Sequence, residues 1–356
     1  MLQFLELNIS MPNLKTFPEL DELANSDCLV VNNYHGLYSK TQVKKYRYVI
    51  YTCFGEVFNT DAFRELMLDI GDNKLIILTT RKYLTKLENF QVKVFYVPSA
   101  YRFYNQWLHS SDILESKNIR RHVLSLNFRS QWNRLALAQF LTQENMLDKF
   151  YLSYHGHDRF NMGRRIRFDQ DWGIVGKTWF NHLLDPDTFF QRIPIETDLT
   201  DPNSGNNDWT MGNIRYYNET FCSFVNETYI DENWDPFFTE KMFKPIAYGH
   251  PFMIFSSAGA CKFLQDLGFE TFPDVFDESY DQIESPQRRL EFLFNQIKRI
   301  CCMDHEALQT MHRHLLPRLI NNQRCLYQLM HDQYQVDIEK IKQQVMQIVK
   351  HDSFDV

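Results

Sequence analysis

Residues 74–98 read KLIILTTRKYLTKLENFQVKVFYVP, and how this stretch divides decides the fold. Leu75 to Leu78 form an unbroken apolar run, the pattern of a strand buried on both faces. A second β-rich run, VKVFYVP, follows after RKYLTKLENF, a segment of helical length. Apolar runs separated by helix-length segments predict βαβ units and a parallel sheet covered on both sides.

The same alternation extends outward. Upstream, FLELNI, CLVVNN and YRYVIYT are the expected strands, with FPELDELANS, SKTQVKKY and DAFRELMLDI as the expected helices. Residues 99–121 are polar, aromatic and basic and read as a link. The rhythm then restarts with the strand HVLSLN, an amphipathic helix in SQWNRLALAQFLTQENML with Ser130 as N-cap, and the strand FYLSYHG. Residues 156–218 interrupt it with turn-rich sequence such as DPNSGNNDWTMGN. FCSFVNE, PFMIF and the helix around AGACKFLQDLG resume it. From about residue 280 the chain reads as helical, with a kink or break at Pro317. These signals predict an α/β chain of two Rossmann-like domains facing a cleft, with a helical C-terminal extension. The expected domains are residues 1–115, residues 116–300 and, as C-terminal helices, residues 301–356.

Composition narrows the function classes. The 356 residues suit two domains. Lys and Arg number 38 against 45 Asp and Glu, giving 38 − 45 = −7, and there is no long basic block. A phosphate-neutralising grip on nucleic acid is therefore not expected. The seven cysteines show neither zinc spacing nor a disulfide framework. The opening residues MLQFLELNISMPNLK show neither a basic n-region nor a long apolar run, so a secretion signal is not expected, and no stretch reaches about 18 apolar residues. The sequons at Asn8, Asn218 and Asn226 are accordingly expected to be unused, and a cytoplasmic protein with no membrane span is expected.

In open parallel sheets ligands sit beyond the C-terminal ends of the strands, so the residues there are the candidates. After HVLSL come Asn127, Arg129 and Arg134, at a strand–loop–helix start where free N–H groups and the helix dipole favour an anion such as a phosphate. A surface ion pair is the plainer reading of either arginine alone. After FCSFV comes Glu227, and thirteen residues later Glu240-Lys241 follow Thr239. A carboxylate there accepts from vicinal hydroxyls of ribose or hexose, and the ammonium opposes a diphosphate. Taken alone, Thr-Glu-Lys is an ordinary helix start, with Thr239 as cap and Glu240 on the dipole.

The segments FVNET…FFTEKMFKPIAYGHPFMI and LSLNFRSQWNR together resemble the donor-site signature of the fucosyltransferases, over about residues 120–285. Glu227 falls where the family has its first Glu, Glu240-Lys241 match its Glu-Lys pair, Gly249 lies at the family distance, and Asn127 with one of the two arginines matches a Ser-Asn…Arg segment. GFETFPDVFDESYD is similar to glycosyltransferase-like proteins of microbial and viral genomes. The resemblance implies a GT-B fold with residues 1–115 on the acceptor side, a nucleotide-sugar donor (a GDP-sugar favoured) bound by residues 116–300, the helices of 301–356 packed back on the first domain, a glycan or other hydroxyl acceptor, and inverting transfer. It implies neither metal nor cofactor. The departures, Asn226-Glu227-Thr228 for Phe-Glu-Asn-Ser and Phe238 in the Tyr-Val context, leave the sugar open. The general base, supplied across the cleft, would be Glu56 after the strand YVIYT, with His155 as competitor.

Alternatives remain. Asp169/Asp171 and Asp185/Asp187 form two Asp-x-Asp pairs, which would fit a metal-dependent GT-A transferase. Solvated loop acids are the plainer reading of both. Glu232 and Glu240 mimic the E-x7-E spacing of retaining enzymes, although the following Gly-x-Pro comes too late. A glycan- or protein-binding scaffold without chemistry is the third reading.

Overall fold

The computed structural model describes residues 28–32, 46–53, 60–71, 74–80, 82–89, 91–98, 116–127, 131–154, 213–228, 230 and 236–351. Their arrangement is α/β, with parallel sheets and helices of the Rossmann-like class. The expected strand FLELNI, the expected helices FPELDELANS and SKTQVKKY, and nearly all of the turn-rich insertion lie outside the described residues. Two compact units are present. The first holds the described residues within Met1–Asn105 and Gln328–Val356, and the second those within Gln106–Tyr327.

In the first unit, β1 (Cys28–Asn32), β2 (Tyr48–Cys53), β3 (Lys74–Thr79) and β4 (Val92–Tyr96) pair in parallel in that order. Ile50 lies opposite Ile76 and Ile77 opposite Val94. Successive strand side chains point to opposite faces, and both faces are buried as the unbroken apolar runs require. Tyr48, Ile50, Ile76 and Leu78 meet Tyr334, Ile338, Ile341, Val345 and Ile348 of the C-terminal helix. On the other face, Tyr51, Leu75, Ile77 and Val92 meet Leu66 and Ile70 of α1 (Thr60–Ile70). The Tyr48 hydroxyl donates to the Ile348 carbonyl at 3.3 Å, a further tie between sheet and helix.

The stretch 74–98 contains its two strands, but the crossover is tighter than expected. Only Lys82–Leu87 coil, as a 3-10 turn, with Leu84 facing the core. Asn89 then stops the turn, its Oδ1 accepting from the N–H groups of Gln91 and Val92 at 2.8 and 3.0 Å. Such local side-chain bonds compete with helix continuation.

The second unit contains β5 (Arg121–Asn127), α2 (Trp132–Gln143), β6 (Phe150–Tyr154), α3 (Ile214–Asn218), β7 (Thr220–Asn226), α4 (Glu240–Ala247), β8 (Phe252–Phe255) and α5 (Ala260–Asp266). Its sheet is parallel in the order β6-β5-β7-β8. α6 (Pro286–Cys301) packs on α2 by stacking Phe294 on Phe140 at 4.1 Å.

Two local expectations are corrected. The N-cap of α2 is Gln131, not Ser130, and its side chain makes no cap bond. Residues 133–142 are all buried, so α2 is not an amphipathic surface helix; the run Leu135 to Leu141 is apolar around most of its circumference, which marks a core helix. Secondly, of the kink or break expected at Pro317, the break is absent, since α7 (His305–Gln328) runs through it. Pro317 and Arg313, whose carbonyl loses its usual donor there, both lie on the exposed side, which lowers the cost of the missing bond. The chain then returns to the first unit as α8 (Tyr334–His351).

Candidate functional site

The order β6-β5-β7-β8 contains a topological switch point. The chain moves from β5 outward to β6, then back past β5 to β7 and on to β8, so crossovers leave β5 and β7 in opposite directions. In such sheets the crevice beyond the carboxyl ends of the two central strands is where ligands bind. Asn127 is paired with Tyr154 and Asn226 with Phe255. Carrying the β5–β7 register forward (Arg121 opposite Thr220, Leu124 opposite Ser223) sets Asn127 opposite Asn226. All four strands therefore end on one row, and two asparagines lie side by side at its centre.

Hydrogen bonding orients these amides. The Ser125 hydroxyl donates to the Phe224 carbonyl at 3.0 Å, so toward Asn127 it can only accept, and it takes Asn127 Nδ2–H at 3.1 Å. Asn133, in the first turn of α2, donates from Nδ2 both to Asn226 Oδ1 and to the Glu227 carbonyl. What remains is Asn127 Oδ1, Asn133 Oδ1 and Asn226 Nδ2, all buried and without a hydrogen-bond partner among the described residues. The three side chains are 1–2 % exposed. Each buried polar atom left unbonded costs about 1–3 kcal/mol. Two such atoms on the strand-end row and a third from the first turn of α2 are polar groups that a bound water or ligand would satisfy.

Arg134 lies under the same row, 2 % exposed, its Nη2 donating to the Asn226 carbonyl at 3.4 Å. Arg289 of α6 supports the chain beyond β7. Its guanidinium donates to the Ile230 carbonyl at 2.8 Å and packs over the Phe255 ring.

Beside the row is the start of α4. Thr239 is its N-cap, with Oγ1 accepting from Lys241 N–H at 3.4 Å. Glu227, fully buried, grips this cap with both carboxylate oxygens: Oε1 accepts Thr239 N–H at 2.8 Å and Oε2 its hydroxyl at 2.7 Å. Lys241 Nζ donates to Glu240 Oε1 at 2.7 Å and to Thr239 Oγ1 at 3.2 Å. At its far end α4 closes on Gly249, at φ +59°. The Gly249 and His250 N–H groups bond the Ile246 and Pro245 carbonyls at 3.1 and 2.8 Å, a Schellman closure that needs the left-handed residue. The helix is thus held at both ends, which fixes where Glu240 and Lys241 begin.

The two carboxyls are driven apart electrostatically. Burial pushes Glu227 up, opposed by Lys241 and the Thr239 bonds and reinforced by Glu240, to about 7. Burial also penalises the charge on Glu240, but Lys241 and Lys244 outweigh it and hold Glu240 down at about 2. The signs fix the pH response. Stability from Glu240 is present above the ordinary carboxylate value of 4.5 and is lost as pH falls through 2. Stability from Glu227 is full below 4.5 and is lost as pH rises through 7. Melting temperature against pH is expected to decline on both sides. Glu227→Gln should flatten the neutral side and Glu240→Gln the acid side, each measured as the difference from wild type. A wild-type profile that both variants share unchanged would contradict this pairing.

Of the residues expected from sequence, Glu227, Glu240 and Lys241 are joined through Thr239, while Asn127 and Arg134 lie at the adjoining strand ends. Arg129, Glu56 and its competitor His155 lie outside the described residues, as do Glu232 and both Asp-x-Asp pairs. Asn133 and Arg289 were missed. An Asn inside an apolar helix and an Arg near a predicted helix start were the available signals, and both resemble surface residues in one dimension. Among the described residues no group of three or more His, Cys, Asp or Glu is arranged to hold a metal, and no helix is long and apolar enough to cross a membrane. The second unit also has an open cavity of about 1150 Å³ near α5. Four of the acidic side chains lining it have partners: Asp281 caps α5, Glu278 accepts from Thr271 and the Phe272 N–H, Asp274 pairs with Arg318, and Asp277 accepts from the Ser279 N–H. No family model matches the chain, and no curated protein or solved structure is similar enough to it to count as a relative.

Proposed function

We propose that this chain is a glycosyltransferase moving a sugar from a nucleotide-diphosphate sugar, a GDP-sugar by preference, to a hydroxyl of a glycan or other acceptor. In this reading the two Rossmann-like units are the lobes of a GT-B enzyme, and the donor binds at the C-terminal edge of the second sheet. The observation that carries the reading is the row of unsatisfied buried amides at the switch point, flanked by the braced Glu227, Glu240 and Lys241. A polar ligand with several hydroxyls meets the free amide atoms and its anionic part meets Lys241, while Glu227 positions the helix start; a purely apolar ligand meets none of them.

The transfer is inverting and metal-independent. The acceptor oxygen attacks the anomeric carbon, the bond from that carbon to the phosphate oxygen breaks, and the acceptor proton passes to a base, Glu56. The nucleoside diphosphate leaves with the bonding pair. Lys241 stabilises that charge, a contribution that counts for more at a water-poor helix start than in bulk solvent. Glycan biosynthesis is the setting that follows.

The experiment is a melting-temperature screen with GDP, UDP and CDP and their sugars, with and without EDTA. At ligand concentrations near 100 times Kd the stabilisation is about 2.7 kcal/mol, or several degrees for a unit of this size. The expected result is a shift of that order with one nucleotide diphosphate, preserved in EDTA. No shift with any of them would overturn the donor reading, and a shift abolished by EDTA would overturn the metal-independent form of it.

A further inference from the structure

The unsatisfied atoms of the strand-end row specify more than polarity. Asn127 Oδ1 and Asn133 Oδ1 are acceptors, and Asn226 Nδ2 is a donor. Their orientation is not interchangeable. Ser125 spends its proton on Phe224, which commits Asn127 to present Nδ2 to it. The Glu227 carbonyl needs a donor, which commits Asn133 Nδ2 to that side and makes Asn226 Oδ1 the acceptor of the pair. A phosphate oxygen carries no proton at neutral pH, so two carbonyl oxygens repel it. A carboxylate ligand fails for the same reason. An ammonium group can donate to both oxygens but offers nothing to Asn226 Nδ2. Two adjacent hydroxyls fit: each donates to one amide oxygen, and one accepts from Asn226. Asn127 and Asn226 lie on neighbouring strands, about 4.8 Å apart, and Asn133 of α2 is hydrogen-bonded to Asn226, which gathers the three amides at one place.

We infer that Asn127, Asn133 and Asn226 together form a subsite for an uncharged vicinal diol, with any phosphate groups of the ligand held elsewhere. This rests on the donor-site reading of the same strand ends, and it changes that reading in one respect: hydroxyl recognition lies with the three amides. Glu227 is a positioning residue, both of whose carboxylate oxygens hold Thr239. The diol belongs either to the ribose or to the transferred sugar.

The test uses the full-length chain and calorimetric titration. The nucleotide diphosphate that binds in the screen is compared with its 2′-deoxy and 3′-deoxy forms, and its nucleotide-sugar with the forms deoxygenated on the sugar ring. Removing one hydroxyl of the recognised pair is expected to weaken binding about tenfold or more, because a buried amide is then left unbonded. Loss confined to the ribose analogues assigns the diol to the nucleotide, and loss confined to the sugar analogues assigns it to the hexose. Asn226→Asp keeps the oxygen that accepts from Asn133 but turns the free donor into an acceptor. It should bind parent and deoxy ligands equally weakly. The ligand series needs no variant, so a misfolded Asn226→Asp leaves the inference testable. Affinity unchanged across every deoxy analogue would overturn the diol subsite while leaving the donor reading intact. Binding of methyl glycosides that is lost in Asn226→Asp, with no nucleotide bound, would uphold the subsite and end the donor reading. Binding of neither class would end both.

Discussion

Ending the chain at Gln333 is expected to unfold the first unit. Tyr334, Ile338, Ile341, Val345 and Ile348 cover one face of its sheet, and burying side chains of this kind contributes about 1.5–3 kcal/mol each. Five of them sum to roughly the whole net stability of a domain, about 5–15 kcal/mol. Hydrogen exchange over β1–β4 reads the effect directly. The full chain should protect these amides, and the truncated chain should exchange them at close to unfolded rates while β5–β8 stay protected. Native-like protection of β1–β4 after truncation would show that the helix is a peripheral addition. Ile338→Asp makes the same point without shortening the chain, by burying a charge on the same face.

Glu227→Ala is the second large effect. It strips partners from the N–H and the hydroxyl of Thr239, a residue with no solvent exposure, and leaves a cavity. At about 1–3 kcal/mol for each unsatisfied donor, the total is about 3–5 kcal/mol. For a unit of this size each kcal/mol is worth about 2–4 °C, so a fall of about 10 °C is expected. Glu227→Gln retains one acceptor and should lie between. Because the clamp holds the helix start that carries Glu240 and Lys241, ligand affinity should fall in parallel. An alanine variant melting within two degrees of wild type would mean that Thr239 is held by something other than Glu227.

Much of the scaffold was legible in one dimension because strands buried on both faces leave a loud signal. Leu75 to Leu78 and Phe252 to Phe255 could scarcely be anything else, and the period-2 split of Tyr48, Ile50 from Val49, Tyr51 follows from strand geometry alone. Boundaries set by side-chain hydrogen bonds were harder. Asn89 stops the β3–β4 crossover through its own Oδ1, and Gln131 begins α2 without capping it, so neither follows the usual cap preferences. The site divides in the same way. Glu227, Glu240 and Lys241 stand out because charges at strand ends and helix starts are few. The bond from Glu227 to Thr239 spans twelve residues and cannot be read from spacing. Asn133 looked like one polar residue in an apolar helix, and only pairing with Asn226 across the strand end gives it meaning.

The central claim is that a nucleotide-diphosphate sugar binds at the C-terminal edge of the second sheet. Hydrogen exchange with and without the nucleotide diphosphate identified by the melting screen tests that most directly. The account predicts slowed exchange in the peptides spanning Leu126–Arg134 and Asn226–Lys241, with little change around Gly259–Glu284. Protection confined to Gly259–Glu284, at the cavity beside α5, would contradict it.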